Sequence, residues 1–169
     1  VSMPANDLAE VKAAAKSLVG SMGPRDKVAV IAFADEVNVV HDFTNNTQEL
    51  QAVIDRLTAG GSLTTLNEAL IEATTMVEQL LTGRKGVVVV TDSRDNTGAL
   101  TADEAVSQAQ ETRIPLYVAG FGNKVSFDPL KDKINLTRGQ YFSFPDVDQV
   151  QTTLQEVEAQ LRRGYKITF

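Results

Sequence analysis

The sequence predicts a doubly wound α/β domain: a mostly parallel central sheet with one antiparallel edge strand, and helices on both faces. Three observations carry that expectation. The valine run at Val87–Val90 is uniformly apolar and β-branched, the pattern of a strand covered on both faces, and such strands belong to parallel sheets. Strand-like and helix-like patterns take turns along the chain, as parallel strands joined by crossover helices require. At 169 residues and 43% hydrophobic composition, the chain can bury a core and reads as one domain.

The elements follow in order. A helix opens near Asn6–Asp7, where Asp7 and Glu10 have capping-box spacing, and carries Leu8, Val11, Ala15 and Leu18 as one stripe. "GSMGPRD" ends it, and "VAVIAF" (Val28–Phe33) is a buried strand. "DEVNVVHDF" comes after a turn at Ala34–Asp35; only an antiparallel hairpin fits so short a connection, which makes this strand the sheet edge. Thr47 caps a short helix with Leu50, Val53, Ile54 and Leu57 inward. "TAGGSLTT" is a loop, and a long helix runs from about Thr65 to Leu81. After the strand Val87–Thr91, Thr101 and Glu104 form a second capping box for a helix reaching about Thr112. "IPLYVAGFG" is a buried strand ending in a glycine turn, and "GQYFSF" is a further strand. Asp146 and Gln149 resemble a third box, before a helix with Val147, Val150, Leu154, Val157 and Leu161 inward. "YKITF" alternates like a half-exposed strand.

Composition excludes several functions. A net charge of −6 offers no basic footprint for nucleic acid or anionic lipid. With no cysteine there is no disulfide framework, thiolate zinc site or cysteine nucleophile. The one histidine, His41, falls on the edge strand, which leaves nucleophile–base triads little material. No apolar run approaches the roughly 18 residues of a membrane-spanning helix. The chain has neither an initiator Met nor a signal peptide, and reads as a piece of a longer polypeptide.

Asp92 follows directly after the valine run and Thr91. It stands at the C-terminal end of a parallel strand, where open α/β sheets bind their ligands. A carboxylate there is costly unless it caps backbone N–H groups, pairs with a cation or binds a metal. On the residues alone all three stay open. "GGSLTTLNEAL" is a glycine loop followed by hydroxyls at a helix start; it is not a P-loop, because no lysine follows the glycines at the required spacing. "GFG" at Gly120–Gly122 reads as a turn after a strand.

The runs "VKAAAKSLVGSMGPRDKVAVIAFADEVNVVHDFT", "LTAGGSLTTLNEAL" and "VVVVTDSRDN" together resemble a von Willebrand factor type A domain of the prokaryotic kind, which has a Rossmann-like fold. The resemblance covers residues 1–163, with 164–169 starting a following strand or segment. In that family three loops build a metal-ion-dependent adhesion site: an Asp-x-Ser-x-Ser motif, a threonine after the glycine loop, and the aspartate of Thr-Asp-Gly. "TTLNEAL" overlays the family's Thr-x-Leu-x-x-Ala-Leu run, so Thr64 matches the threonine, and Asp92 matches the aspartate. Counting back from Lys12 puts the last serine of the first motif on Ser2. The rest of that motif, and the strand normally at the sheet's centre, then fall before Val1. The expectation is that the natural protein continues upstream. Ser93 stands where the family usually has glycine, which predicts local strain or a shifted loop.

The resemblance implies an adhesion or protein-interaction module and not an enzyme. Its Mg²⁺ (or Mn²⁺ or Ca²⁺) would be held by Ser2, Thr64 and Asp92, and would take an Asp or Glu carboxylate from a protein partner. Asp95 and Asn96 are expected to shape the neighbouring turn. Nucleic acid and membrane insertion are not expected. One alternative keeps the fold but makes the metal site degenerate, leaving a structural or assembly module. Another is a nucleotide- or phosphate-binding enzyme, for which "TDSRDN" supplies no phosphate-cradling glycine. "LRRGYKITF" resembles the segment leading into a further extracellular β-domain, which favours a secreted or cell-surface setting.

Overall fold

The computed structural model describes residues 3–125 and 128–162. Helix α1 (Ala5–Gly20) leads into a hairpin of β1 (Val28–Phe33) and β2 (Val37–Thr44), followed by α2 (Thr47–Arg56). Then come α3 (Leu66–Glu78), β3 (Val87–Thr91), α4 (Ala102–Thr112) and β4 (Leu116–Phe121). The short α5 (Leu130–Ile134), β5 (Gln140–Phe144) and α6 (Val150–Arg162) complete the order. Strands β3, β4 and β5 form a parallel sheet in that sequence, with Val89 opposite Val118 and Val118 opposite Tyr141. The hairpin is antiparallel, from Val28 opposite Thr44 to Phe33 opposite Val37, with register shifts on either side of Val30. Among the described residues the hairpin and the parallel sheet are separate ladders, and α3 packs against both β1 and β3.

The pleat of β3 explains the valine run. Val87 and Val89 enter a core with Leu66 and Leu70 of α3, Ala105 and Val106 of α4, and Leu116 and Val118 of β4. Val88 and Val90 face the other way, onto a second core that includes Ala14 of α1 and Val150 and Leu154 of α6. The strand is therefore covered on both sides, as its sequence requires. Strand β4, in the middle of the sheet, is buried at all six positions. A third core joins Val19 of α1 to Leu50 and Ile54 of α2, with Val28 and Val30 of β1 packed against it. Strand β1 is half-buried throughout and not fully buried as its apolar run predicts. Only β2 pairs with it among the described residues.

Helix ends depart from the sequence expectation where a tertiary partner or a backbone constraint outbids the local motif. Helix α1 opens at Ala5 behind Pro4 with no side-chain cap, so Asp7 and Glu10 form no box; Asp7 sits in the first turn, where its charge complements the helix dipole. Asn46, and not Thr47, caps α2: its Oδ1 accepts from the backbone N–H of Gln48 at 3.1 Å and Glu49 at 3.3 Å. Helix α3 stops at Glu78, short of Leu81, which is 98% exposed just before the positive-φ Gly83. Asp146 makes no side-chain cap; a 3₁₀ turn at Val147–Gln149 precedes α6. The box at Thr101 and Glu104 does form, with the Thr101 N–H donating to Glu104 Oε2 at 2.7 Å and the Glu104 N–H donating to Thr101 Oγ1 at 3.2 Å. Ser2 and residues 164–169 lie outside the described residues. No helix among the described residues is long and apolar enough to cross a membrane.

Candidate metal centre

Three loops meet beyond the C-terminal ends of β1 and β3. The first is the hairpin turn of Ala34, Asp35 and Glu36; the second is the glycine loop before α3; the third runs from Asp92 to Thr101. The Thr65 N–H donates to Ala34 O at 3.0 Å, and the N–H groups of Ser62 and Leu63 both donate to Asp35 Oδ1 at 2.7 Å. Those two backbone donors, Leu63 first, hold the Asp35 carboxyl below the usual carboxylate range. The fit demands glycine: Gly61 has φ of +91°, and a Cβ there would lie 2.8 Å from Ala34 Cβ and 2.9 Å from Asp35 Oδ1.

The glycine loop is also tied to the third loop. The Thr64 N–H donates to Asn96 Oδ1 at 2.7 Å, and the Asn96 N–H donates back to Thr64 O at 3.2 Å. Asp95 Oδ2 accepts from the Asn67 N–H at 2.9 Å, which caps α3 from across the gap. Its other oxygen accepts from the N–H groups of Thr97 at 3.1 Å and Gly98 at 3.4 Å. Asn67 Nδ2 donates to Leu100 O at 2.8 Å. Asp95 and Asn96 thus shape the turn, while Asp92 does not.

Asp92 is half-buried and makes no hydrogen bond or ion pair among the described residues. Thr64, 5% exposed, sits on the loop that Asn96 locks to Asp92's own. The structure therefore sets Thr64 and Asp92 on cross-linked loops, one offering a hydroxyl and the other an uncommitted carboxylate. Among the described residues no three His, Cys, Asp or Glu side chains gather into a metal cluster. The candidate donors are of another kind, the hydroxyl of Thr64 and the carboxylate of Asp92, oxygens of the type that suits a hard divalent ion.

Ser93 does not produce the predicted strain. Among the described residues only Arg113 and Arg138 are non-glycine residues with positive φ, so the turn at Ser93 needs no glycine. Thr91 closes it instead, its Oγ1 donating to Ser93 O at 2.6 Å and accepting from the Ser93 N–H at 3.1 Å. Nearby, Asp128 is 5% exposed, and burial pushes its carboxyl up against the lowering effect of its hydrogen bonds and of Arg94. Its oxygens accept from the Leu130 N–H at 3.0 Å and the Tyr141 hydroxyl at 2.8 Å. Burial and the neighbouring Asp128 raise the Tyr141 hydroxyl's pKa in turn. His41 stays on β2, away from these loops, with Nε2 3.7 Å from Glu49. Clefts of about 230 Å³ at Gly122 and Ser143, and about 470 Å³ along β5 and α6, include neither Thr64 nor Asp92.

The sequence profile of the von Willebrand factor type A domain matches residues 1–157. No curated protein matches the chain. A solved von Willebrand factor type A protein from Catenulispora acidiphila superposes with a TM-score of 0.78 at 17% identity, covering 94% of this chain and 39% of that one. Proximal thread matrix protein 1 from the mussel byssus, with a zinc-occupied MIDAS motif, gives 0.76 at 19% identity, covering 92% of this chain and 41% of its own. The vWF domain of the type V pili tip protein Mfa5 from Porphyromonas gingivalis gives 0.69 at 14% identity, covering 96% of this chain and 92% of that one. Identities this low speak for the fold. The chain spans less than half of the first two proteins.

Proposed function

This chain belongs to the von Willebrand factor type A family, and from that premise we propose that it binds a partner protein's Asp or Glu through a divalent metal held by Thr64 and Asp92. The observation that carries the reading is the uncommitted carboxylate of Asp92, on a loop that Asn96 joins in both directions to the loop of Thr64. A bound Mg²⁺ would supply an electrophilic point for an incoming carboxylate oxygen, since few anionic ligands leave its charge uncompensated. The chain's own residues prepare that encounter. Asp95 takes over the capping of the turn, which leaves Asp92 free to face an ion. Asn96 holds the backbone of Thr64 itself, while Asp35 and Ala34 hold the residues before and after it, so the backbone that carries its hydroxyl is fixed before any ion arrives. Leu63, 42% exposed beside Thr64, offers an apolar contact to the partner.

Hydroxyl and carboxylate donors favour Mg²⁺, with Mn²⁺ or Ca²⁺ as chemically similar substitutes. The zinc-occupied motif of the mussel protein supports a divalent ion. Ser2 is the further hydroxyl that the family motif assigns. The family, whose members are generally interaction modules, supports a binding role. The pilus-tip neighbour supports a secreted or cell-surface setting within a larger protein. A scaffold reading with a degenerate metal site has one observation in its favour: the three loops close their hydrogen bonds on one another.

Calorimetric titration with Mg²⁺ and Mn²⁺ separates the two. Saturable binding is expected in the wild type, weakened roughly tenfold or more in Thr64→Ala and abolished in Asp92→Ala. A folded wild-type protein that takes up neither ion sinks the metal mechanism and leaves the scaffold.

A further inference from the structure

Four buried side-chain oxygens among the described residues lack a hydrogen-bond partner: Thr65 Oγ1, Asn67 Oδ1, Glu68 Oε2 and Ser93 Oγ. They belong to the start of α3 and to the loop after β3. Two of them belong to side chains that bond across the seam to that loop. Asn67 Nδ2 donates across it to Leu100 O at 2.8 Å, so Oδ1 of the same planar amide is held there too, in a residue 5% exposed. Glu68 Oε1 takes the Thr97 hydroxyl at 3.3 Å, which fixes Oε2 beside the same loop.

The spacing Thr65-x-x-Glu68 is that of a capping box, yet α3 does not use it. The Thr65 N–H, which Glu68 would accept, already donates to Ala34 O, and Asp95 takes the Asn67 N–H. Glu68 is thereby released from the helix end and turned to the loop. There it shares one proton donor with a second carboxylate: Thr97 Oγ1 is also 3.0 Å from Asp95 Oδ1. One hydroxyl proton cannot serve both. Asp95 has backbone N–H groups in compensation, whereas Glu68 Oε2 has nothing.

We infer that this seam is a second cation site, separate from Asp92, in which Glu68 Oε2 and Asn67 Oδ1 ligate a Ca²⁺-class ion. An amide oxygen and a carboxylate oxygen both accept hydrogen bonds and both suit a hard cation. A water molecule would satisfy the oxygens but bring no charge to the Glu68 carboxylate, whose Oε2 has no partner; a cation does both. Arg94, the loop's own cation, acts on Asp128 and forms no ion pair among the described residues. A mixed set of carboxylate and amide oxygens in irregular array suits Ca²⁺, which tolerates varied geometry, better than Mg²⁺.

The test removes the first site and keeps the second. Ca²⁺ is titrated calorimetrically into Asp92→Ala protein and into the Asp92→Ala/Glu68→Gln double variant, with thermal melts alongside; the near-isosteric Asp92→Leu, which also lacks a side-chain oxygen, replaces Asp92→Ala if the latter fails to fold. The expected result is one saturable equivalent and a Ca²⁺-dependent rise in Tm in the first protein, both lost in the second. Folded Asp92→Ala protein that takes up no Ca²⁺ overturns the inference, and so does equal uptake by the two proteins. Neither result bears on Mg²⁺ at Asp92, which is read in the wild type.

Discussion

Asp35 and Asp92 both follow strands at the same end of the molecule, and the chain uses them in opposite ways. Asp35 accepts two backbone N–H groups on one oxygen, and Asp92 accepts none among the described residues. The depressed pKa of Asp35 has a definite sign: its contribution to stability is present above the ordinary carboxylate range and is lost as pH falls through the lower folded value. Acidification below about pH 4 should therefore release the glycine loop. Hydrogen exchange at the Ser62 and Leu63 amides reads this directly, and Asp35→Ala should remove their protection at neutral pH as well. Asp128 runs the other way. Its raised pKa favours the protonated fold, so its contribution is complete below the ordinary carboxylate range and is lost as pH rises through the raised value. Urea denaturation from about pH 4 to 8 should show the wild type losing stability relative to Asp128→Asn. Asp128→Ala, which orphans the Tyr141 hydroxyl and the Leu130 N–H, should cost about 2 kcal/mol.

At the scale of elements, capping separates what a local motif permits from what the fold uses. Thr101→Ala should cost α4 about 1 kcal/mol, read as a shift in the urea midpoint. Alanine at Asp146, which has the same local signature but makes no side-chain cap, should stay within about 0.5 kcal/mol. Three residue pairs with box-like spacing looked alike in the sequence, and one of them forms. The reason is in the neighbours: Pro4 sets the start of α1, a 3₁₀ turn intervenes before α6, and nothing competes for the Thr101 N–H. The fourth pair of this kind, Thr65 and Glu68, fails because Ala34 reaches the N–H first.

For the whole molecule, the parallel sheet and its two covered faces were legible because β3 and β4 carry their environment in uninterrupted apolar runs. The half-buried state of β1 was not, since its run is just as apolar and only its neighbours decide its burial. Thr64 and Asp92 could be marked from the chain because each lies in a recognisable local pattern. Asp35 and Asn96, which set the geometry around Thr64, could not. Their partners lie 27, 28 and 32 residues away, and nothing in an Ala-Asp-Glu turn announces a glycine loop that distant.

The bonds between the three loops have a mechanical meaning. Near the site, the hairpin is joined to the rest of the molecule through Ala34 and Asp35, whose bonds end on residues 62, 63 and 65. Thr64 lies between those attachment points, and its own backbone is fastened to Asn96 on the opposite side. The glycine loop is thus a brace pinned from two sides, and a shift of either the hairpin turn or the loop after β3 is passed to the backbone of Thr64.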